Sequence, residues 1–213
     1  MDKVHREVRK FAAQDYWIVL IGHERHDEIV GTRGEAPERI RIVADVADAR
    51  AVDIPDPDKV IVLTQTTLSV DDTREVIDVL KERFPRMITP AKEDICYATQ
   101  NRQDAVKQLA GEVDLILVIG SRNSENSNQL CKVARAHGTM AYLIDDYRGI
   151  DPSWLGGVQC VGITSGASAP ERLVQETADF FKQQGAEITF LGFAEENIHF
   201  ALPPELDSEN LPR

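Results

Sequence analysis

Cysteine is scarce in this chain of 213 residues, with only three, at positions 96, 131 and 160. No two of them lie within four residues of each other, which excludes a Cys-x-x-Cys redox pair and the close ligand spacing of a zinc finger. A sparse, odd set is also not a disulfide framework and fits a reducing compartment. The sequence therefore predicts free cysteines.

Long apolar runs and excess positive charge are lacking too. No run of 18 apolar residues occurs, and the stretch from Met1 to Arg6 is too charged for the core of a signal peptide. The 36 acidic residues outnumber the 24 basic ones, for a net charge of -12. That field argues against a nucleic-acid partner or a membrane surface. We expect a soluble, cytoplasmic protein that must hold any anionic substrate with local donors.

The common nucleotide-binding motifs are missing as well. No Gly-x-Gly-x-x-Gly follows the first expected strand, and no Gly-Lys-Ser/Thr P-loop occurs. The sequence therefore lacks the strongest motifs that would indicate a nucleotide cofactor.

Strand-like apolar runs alternate with helical segments along most of the chain. Near-continuous apolar runs are typical of parallel strands buried on both faces, and alternation with short connections indicates helices on both sides of each sheet. The expected strands are residues 16–21, 40–43, 60–63, 113–119, 140–144 and 158–163, with shorter candidates at 87–89 and 188–191. We predict an α/β fold of two three-layer lobes with small parallel sheets, residues 1–92 and 93–192, followed by a tail, 193–213.

Three hydroxyl- and amide-rich loops follow expected strands, at residues 64–69, 120–128 and 164–168. Loops of this kind offer backbone N–H groups and hydroxyls at a helix N-terminus, where the dipole favours anions. Helix capping is the alternative for each loop, and both Ser69 with Asp72 and Ser168 with Glu171 have capping-box spacing. Together, the three loops raise the possibility of a phosphate site.

Six further side chains carry possible chemistry or structure. His26 and Glu28 are two residues apart in an expected loop, so histidine could donate to an oxyanion and glutamic acid could donate a proton. A solvated surface pair is the alternative. His5 and His199 are expected to be structural, and Cys131 and Cys160 to be core residues.

Cys96 lies between a short apolar run and an expected helix over residues 97–110. It could be a metal-cluster ligand beside an anion pocket. A partly buried free cysteine is the simpler interpretation of this residue taken alone.

Seven segments of the chain carry long, ordered motifs: residues 3–8, 21–32, 64–73, 94–99, 120–124, 143–146 and 166–170. Together they resemble one family, the LytB family of 4-hydroxy-3-methylbut-2-enyl diphosphate reductases. The resemblance covers essentially the whole chain.

The resemblance implies an iron–sulfur oxidoreductase of non-mevalonate isoprenoid biosynthesis. It would remove the allylic hydroxyl of a C5 diphosphate with two electrons and protons, giving isopentenyl and dimethylallyl diphosphate, with ferredoxin or flavodoxin as electron donor. Cys96 corresponds to one of three ligands of a 4Fe-4S cluster. By the same resemblance, Glu28 and Thr66 are catalytic, and the diphosphate is bound by His26, Ser124, Asn126 and Ser168.

The chain departs from the family pattern at three places. Asp27 stands where proline is common, and Glu125 where a small or polar residue is common. The family's first lobe, with two cluster cysteines and two active-site histidines, has no counterpart here. We therefore expect an N-terminally truncated chain that self-associates through the surface left open. A non-redox diphosphate-binding module and a phosphosugar-isomerase-like enzyme are the alternative functions.

Overall fold

A computed structural model describes residues 2–89, 95 and 97–191 of the chain. Cys96, His199, the expected lobe boundary at residue 92 and the expected tail at 193–213 lie outside these residues. The described α-helices are α1 (Asp2–Ala12), α2 (Asp27–Gly34), α3 (Val46–Ala51), α4 (Val70–Arg83), α5 (Tyr97–Ala110), α6 (Glu125–Ala136) and α7 (Glu171–Gln183). The strands are β1 (Trp17–Ile21), β2 (Ile40–Val43), β3 (Val60–Thr64), β4 (Leu115–Ile119), β5 (Met140–Ile144) and β6 (Val161–Ser165).

The strands form two parallel sheets with the same plan. The first sheet has the order β2-β1-β3 and the second the order β5-β4-β6, so the earliest strand is central in each. At the carboxyl edge of the first sheet, Ile21 is in register with Val43 and Thr64. In the second sheet, Ile119 is in register with Ile144 and Ser165. The predicted α/β class is confirmed.

Each sheet is buried on both faces by helices. In the first sheet, Ile18 and Leu20 face α1 and α2, whereas Val19 and Ile21 face α3 and α4. Alternate residues along one strand thus enter two separate apolar layers, as strand geometry requires.

The second sheet repeats this three-layer arrangement. Ile116 and Val118 pack with residues of α5 and α6, and Leu115 and Leu117 pack with α7 and with the short 3-10 segment Pro152–Leu155. The apolar runs predicted from the sequence are therefore the middle layers of two similar stacks.

This topology fixes where side chains can gather. The helices that follow β1 and β3 lie on opposite faces of the first sheet, and those that follow β4 and β6 lie on opposite faces of the second. A crevice therefore opens at the carboxyl ends of β1 and β3, and another at those of β4 and β6. Open α/β sheets place ligand groups at such switch points. The segments that enter these crevices are 22–28, 65–69, 120–126 and 166–168.

The structure corrects several sequence-based expectations. Residues 188–191 form no strand, and Phe190 is 83% exposed. The sixth strand begins at Val161 rather than 158, so Cys160 precedes it and is exposed instead of lying in the core. Residues 87–89 contribute a single bridge, between Ile88 and Ile61. Cys131 is buried, as predicted.

No described helix is both long and apolar enough to cross a membrane.

Candidate functional site

His26 begins the helix that follows the first central strand. It is the N-cap of α2, and its Nδ1 accepts a hydrogen bond of 3.2 Å from the backbone N–H of Glu28. Because Nδ1 accepts, the neutral ring carries its proton on Nε2. The half-buried imidazole can therefore donate Nε2–H to an anion. The expected loop is a helix here, so the histidine has a fixed orientation.

Glu28 is buried, with 5% of its surface exposed, which excludes the solvated surface pair. Thr66 supplies its hydrogen bonds. The Thr66 hydroxyl donates to Oε2 at 2.9 Å, and the Thr66 N–H lies 3.2 Å from both carboxylate oxygens. The segments after β1 and β3 are thus joined by one carboxyl group at the switch point of the first sheet.

Gln65 is a site residue that the sequence argument missed. Its side chain is buried, its Oε1 accepts from the His23 N–H at 3.2 Å, and its Nε2 donates to the Thr67 hydroxyl at 2.9 Å. The amide therefore orders the loops on either side of Glu28. Its position directly after β3 was the available signal.

Ser124 lies at the corresponding place in the second sheet and caps α6. Its hydroxyl accepts from the Ser127 N–H at 3.3 Å and from the Ser127 hydroxyl at 3.0 Å. The capping interpretation is confirmed for this residue. Its hydroxyl hydrogen remains available for another acceptor.

Asn126, in the first turn of α6, is 8% exposed, and neither its Oδ1 nor its Nδ2 has a hydrogen-bond partner. Buried amides are rarely left unpaired. The loop after β6 reaches this turn: a methyl group added to Gly166 would overlap the Ser127 hydroxyl and lie 3.6 Å from the Asn126 Nδ2. The segments after β4 and β6 therefore meet beside an unsatisfied amide.

Ser168 does not have the role that its spacing predicted. Helix α7 begins at Glu171 with Pro170 as its N-cap, and no side chain caps it. Proline suits a position where no backbone N–H is needed, so the helix starts without the serine. Ser168 is exposed on the loop that follows Gly166. The capping box was wrong, and the hydroxyl is not committed to the helix.

The two unusual carboxylates both lie in the first turn of a helix. Asp27 is exposed in α2. Glu125 follows the Ser124 cap, and its carboxylate lies 3.6 Å from the Lys132 ammonium group. Both placements suit the helix dipole. The lysine partly neutralises the charge beside Ser124 and Asn126.

Comparison with known proteins identifies the family. A family model described as "LytB protein" matches residues 1–182. The chain belongs to the LytB family. It is 53% identical over 206 residues to a 4-hydroxy-3-methylbut-2-enyl diphosphate reductase of Streptomyces avermitilis, a match that covers 96% of the chain and 61% of the relative. A reductase of the same name from Mycolicibacterium paratuberculosis is 51% identical, with 97% of the chain and 63% of the relative covered.

A solved LytB-like structure has the same fold. The E-1-hydroxy-2-methyl-but-2-enyl-4-diphosphate reductase from Plasmodium falciparum superimposes with a TM-score of 0.86 at 34% identity. The match covers 96% of this chain and 65% of that structure. The chain thus spans less than two thirds of the length of each of these relatives.

The LytB resemblance implies an iron–sulfur cluster, which the described residues do not fit. No group of three or more His, Cys, Asp or Glu side chains within them is placed to hold a metal ion. Burial raises the pKa of the Cys131 thiol to about 11, which disfavours the thiolate that binds iron. Cys160 is exposed and precedes β6, at the end of that strand opposite the crevice. The assignment of Cys96 as a cluster ligand stays a prediction.

Proposed function

We propose that this LytB chain provides two lobes of a 4-hydroxy-3-methylbut-2-enyl diphosphate reductase, an oxidoreductase of the non-mevalonate route to isoprenoids. The observation that carries the proposal is the buried Glu28 carboxyl group held by Thr66 at one crevice, combined with the unpaired Asn126 amide at the other. A hydroxylated diphosphate needs both a proton donor and an anion site. The names of the relatives support the same reaction.

The first crevice would supply protons. In the proposed reaction, the allylic C–O bond breaks, the hydroxyl takes one proton and leaves as water, and a second proton adds to the carbon skeleton together with two electrons. Glu28 is the proton donor, and the bonds from Thr66 fix the direction in which its carboxyl group faces. His26 donates Nε2–H to the diphosphate.

The second crevice would bind the diphosphate. The Ser124 hydroxyl, the Asn126 amide and the exposed Ser168 hydroxyl are neutral donors beside the N-terminus of α6. Neutral donors at a helix N-terminus bind phosphate without a counter-charge, which accords with the net charge of -12. No arginine or lysine is required by this arrangement.

The remaining parts of the proposal rest on the family resemblance. Cys96 would be one ligand of a 4Fe-4S cluster that delivers electrons, and ferredoxin or flavodoxin would reduce it. The enzyme would act in the cytoplasm, and the lobes would divide near residue 92. Iron and sulfide analysis of the protein and of Cys96→Ser tests the ligand: with one of three expected cysteines, the protein should hold little iron, and the variant should hold less.

Titration calorimetry tests the substrate. We expect 4-hydroxy-3-methylbut-2-enyl diphosphate to bind more tightly than inorganic diphosphate, because only the former has a hydroxyl group for the Glu28 and Thr66 pair. Binding of neither ligand would contradict the proposal. Turnover of the C5 diphosphate with a reduced dye as electron donor then distinguishes a reductase from a protein that only binds diphosphate.

A non-redox diphosphate-binding module is that alternative. It is favoured by one observation, namely that Ser124 and Asn126, the anion-binding groups of the second crevice, are held at the N-terminus of α6. Tight binding of both diphosphates without turnover in cluster-loaded protein would support this second function.

A further inference from the structure

Gln103, on α5, has a side chain with no exposed surface. Its Oε1 accepts from the Val70 N–H at 3.0 Å, and its Nε2 donates to the Leu68 carbonyl oxygen at 2.8 Å. Helix α5 packs on the second sheet, whereas Leu68 and Val70 belong to the loop and helix that follow β3 of the first. One buried amide thus connects the two sheets.

The contact satisfies groups that the first sheet leaves open. Val70 is the first residue of α4, so its N–H has no partner within the helix. The Ser69 cap accepts from Asp72 instead, at 3.2 Å. Gln103 therefore completes the N-terminus of α4 from outside, and it does so without charge.

The loop that Gln103 holds is the one that presents Thr66. Gln65 fixes the start of this loop through His23 and Thr67, and Gln103 fixes its end through Leu68. Thr66 lies between these two attachment points and donates to Glu28. If the end of the loop is held less firmly, we expect the Thr66 hydroxyl to change position.

The residue before Gln103 faces the other crevice. Arg102 donates from Nη1 to the Ser165 carbonyl oxygen at 2.9 Å and to its hydroxyl at 3.2 Å, at the carboxyl end of β6. Two neighbouring side chains of α5 thus hold the loop after β3 and the end of β6. The helix starts one residue after Cys96.

We propose that Gln103 is a positioning residue that holds Thr66 against Glu28 from the second sheet. It touches neither the reacting atoms nor the diphosphate groups. Its effect on ligand binding rests on the proposed function, whereas its effect on Thr66 does not. A displacement of about 1 Å at such a contact is enough to lower catalysis by roughly a hundredfold.

A matched control lies one turn further along α5. The Lys107 ammonium group lies 2.7 Å from an Asp71 carboxylate oxygen, so it also joins α5 to α4. This pair is partly exposed and does not contact the loop before α4. Lys107→Met removes a bridge between the same helices without freeing that loop.

Hydrogen exchange by NMR on the 213-residue chain tests the positioning without any ligand. In Gln103→Met, which keeps the length of the side chain, the Thr66 amide should exchange at least about tenfold faster than in the parent, because its bond to Glu28 opens more often. The exchange rates of the β4 amides should not change in Gln103→Met. The exchange rate of the Thr66 amide should not change in Lys107→Met. Unchanged Thr66 exchange in Gln103→Met would overturn the inference.

Ligand binding supplies the second readout. Gln103→Met should weaken binding of the C5 diphosphate about tenfold and leave binding of inorganic diphosphate unchanged, because only the C5 diphosphate reaches Thr66. Equal weakening of both would mean a structural role only and would refute the proposal. If the parent binds neither ligand, the proposed function fails, and the exchange result still decides the positioning.

Gln103→Glu provides a variant for the case in which the methionine protein does not fold. It keeps an acceptor for the Val70 N–H and, when ionised, cannot donate to Leu68. Faster Thr66 exchange than in the parent supports the inference, and parent-like exchange contradicts it.

Discussion

The two sheets have the same strand order and gather side chains at the same crevice, yet those side chains differ in kind. The first crevice holds a buried carboxyl group, a histidine and a threonine joined by hydrogen bonds. The second holds neutral hydroxyls and an amide with no partner. A saturated network suits proton transfer in a fixed direction, whereas unsatisfied donors suit an incoming anion. The fold determines the place, and the side chains determine the chemistry.

The largest effect should come from removing the acid of the first crevice. Glu28→Gln keeps the shape and should lower reductive turnover of cluster-loaded protein at least about a hundredfold, the usual contribution of a general acid. Inorganic diphosphate should bind as before. Glu24→Gln is the control, since Glu24 is exposed and pairs with Arg33 at the surface. Turnover close to that of the parent would remove Glu28 from the mechanism.

Adding charge to the second crevice should give the next largest effect. Asn126→Asp places a buried carboxylate beside the α6 N-terminus and should weaken inorganic diphosphate at least about tenfold, about 1.4 kcal/mol. Asn123→Asp makes the same change at an exposed position of the same loop. Calorimetry on both variants is the measurement. Equal affinities would contradict an anion site at Asn126.

The two serine caps allow a direct comparison of the crevices. Ser69→Ala and Ser124→Ala each remove an N-cap and should each lower the free energy of unfolding by about 1 kcal/mol. Only Ser124→Ala should also weaken diphosphate binding. Denaturant unfolding and calorimetry separate the two effects. A binding loss in Ser69→Ala of the same size would refute the division of roles.

Glu125 and Lys132 should have a smaller influence. Glu125→Gln should strengthen binding of inorganic diphosphate about two- to threefold, and Lys132→Met should weaken it by a similar factor. The effects are small because the pair is partly exposed and screened. Both changes should shrink as salt is added. A salt-independent effect would point to altered packing instead.

The difference in reactivity between Cys131 and Cys160 should have the smallest effect on function. With the pKa of Cys131 raised to about 11 by burial, only about one thousandth of it is thiolate at pH 8. A thiol reagent should therefore modify exposed Cys160 first, and Cys131 faster as pH rises toward 11. Mass spectrometry of the labelled protein checks the order. Early labelling of Cys131 would show that α6 opens readily.

The strands were predictable because each is a nearly unbroken apolar run. Residues 40–43 and 140–144 were predicted with the observed limits, and β1, β3 and β4 to within two residues. Helix α2 was missed, because its two glycines and three charged residues hide any apolar periodicity. Tertiary contacts stabilise it: Ile29 is buried among α1 and β1.

The candidate site was predictable only where a residue carries chemistry by its type. His26 and Glu28 were singled out as a titratable pair, and Ser124 as a diphosphate ligand by the family resemblance, with capping as the alternative for its loop. Ser168 was wrongly paired with Glu171, since spacing alone does not show which residue begins a helix. Gln65 offered only its position directly after β3 as a signal, and Gln103 offered none, because an amide becomes informative only when its partners are known.

The sequence by itself determined the class of fold, the family and the set of polar loops, because hydrophobic runs and local motifs are properties of neighbouring residues. Tertiary structure decided which loops meet. It joined Glu28 to Thr66 across 38 positions and Gln103 to Val70 across 33, and it left the Asn126 amide without a partner. Such contacts depend on strand order and helix packing, which no short stretch of sequence encodes.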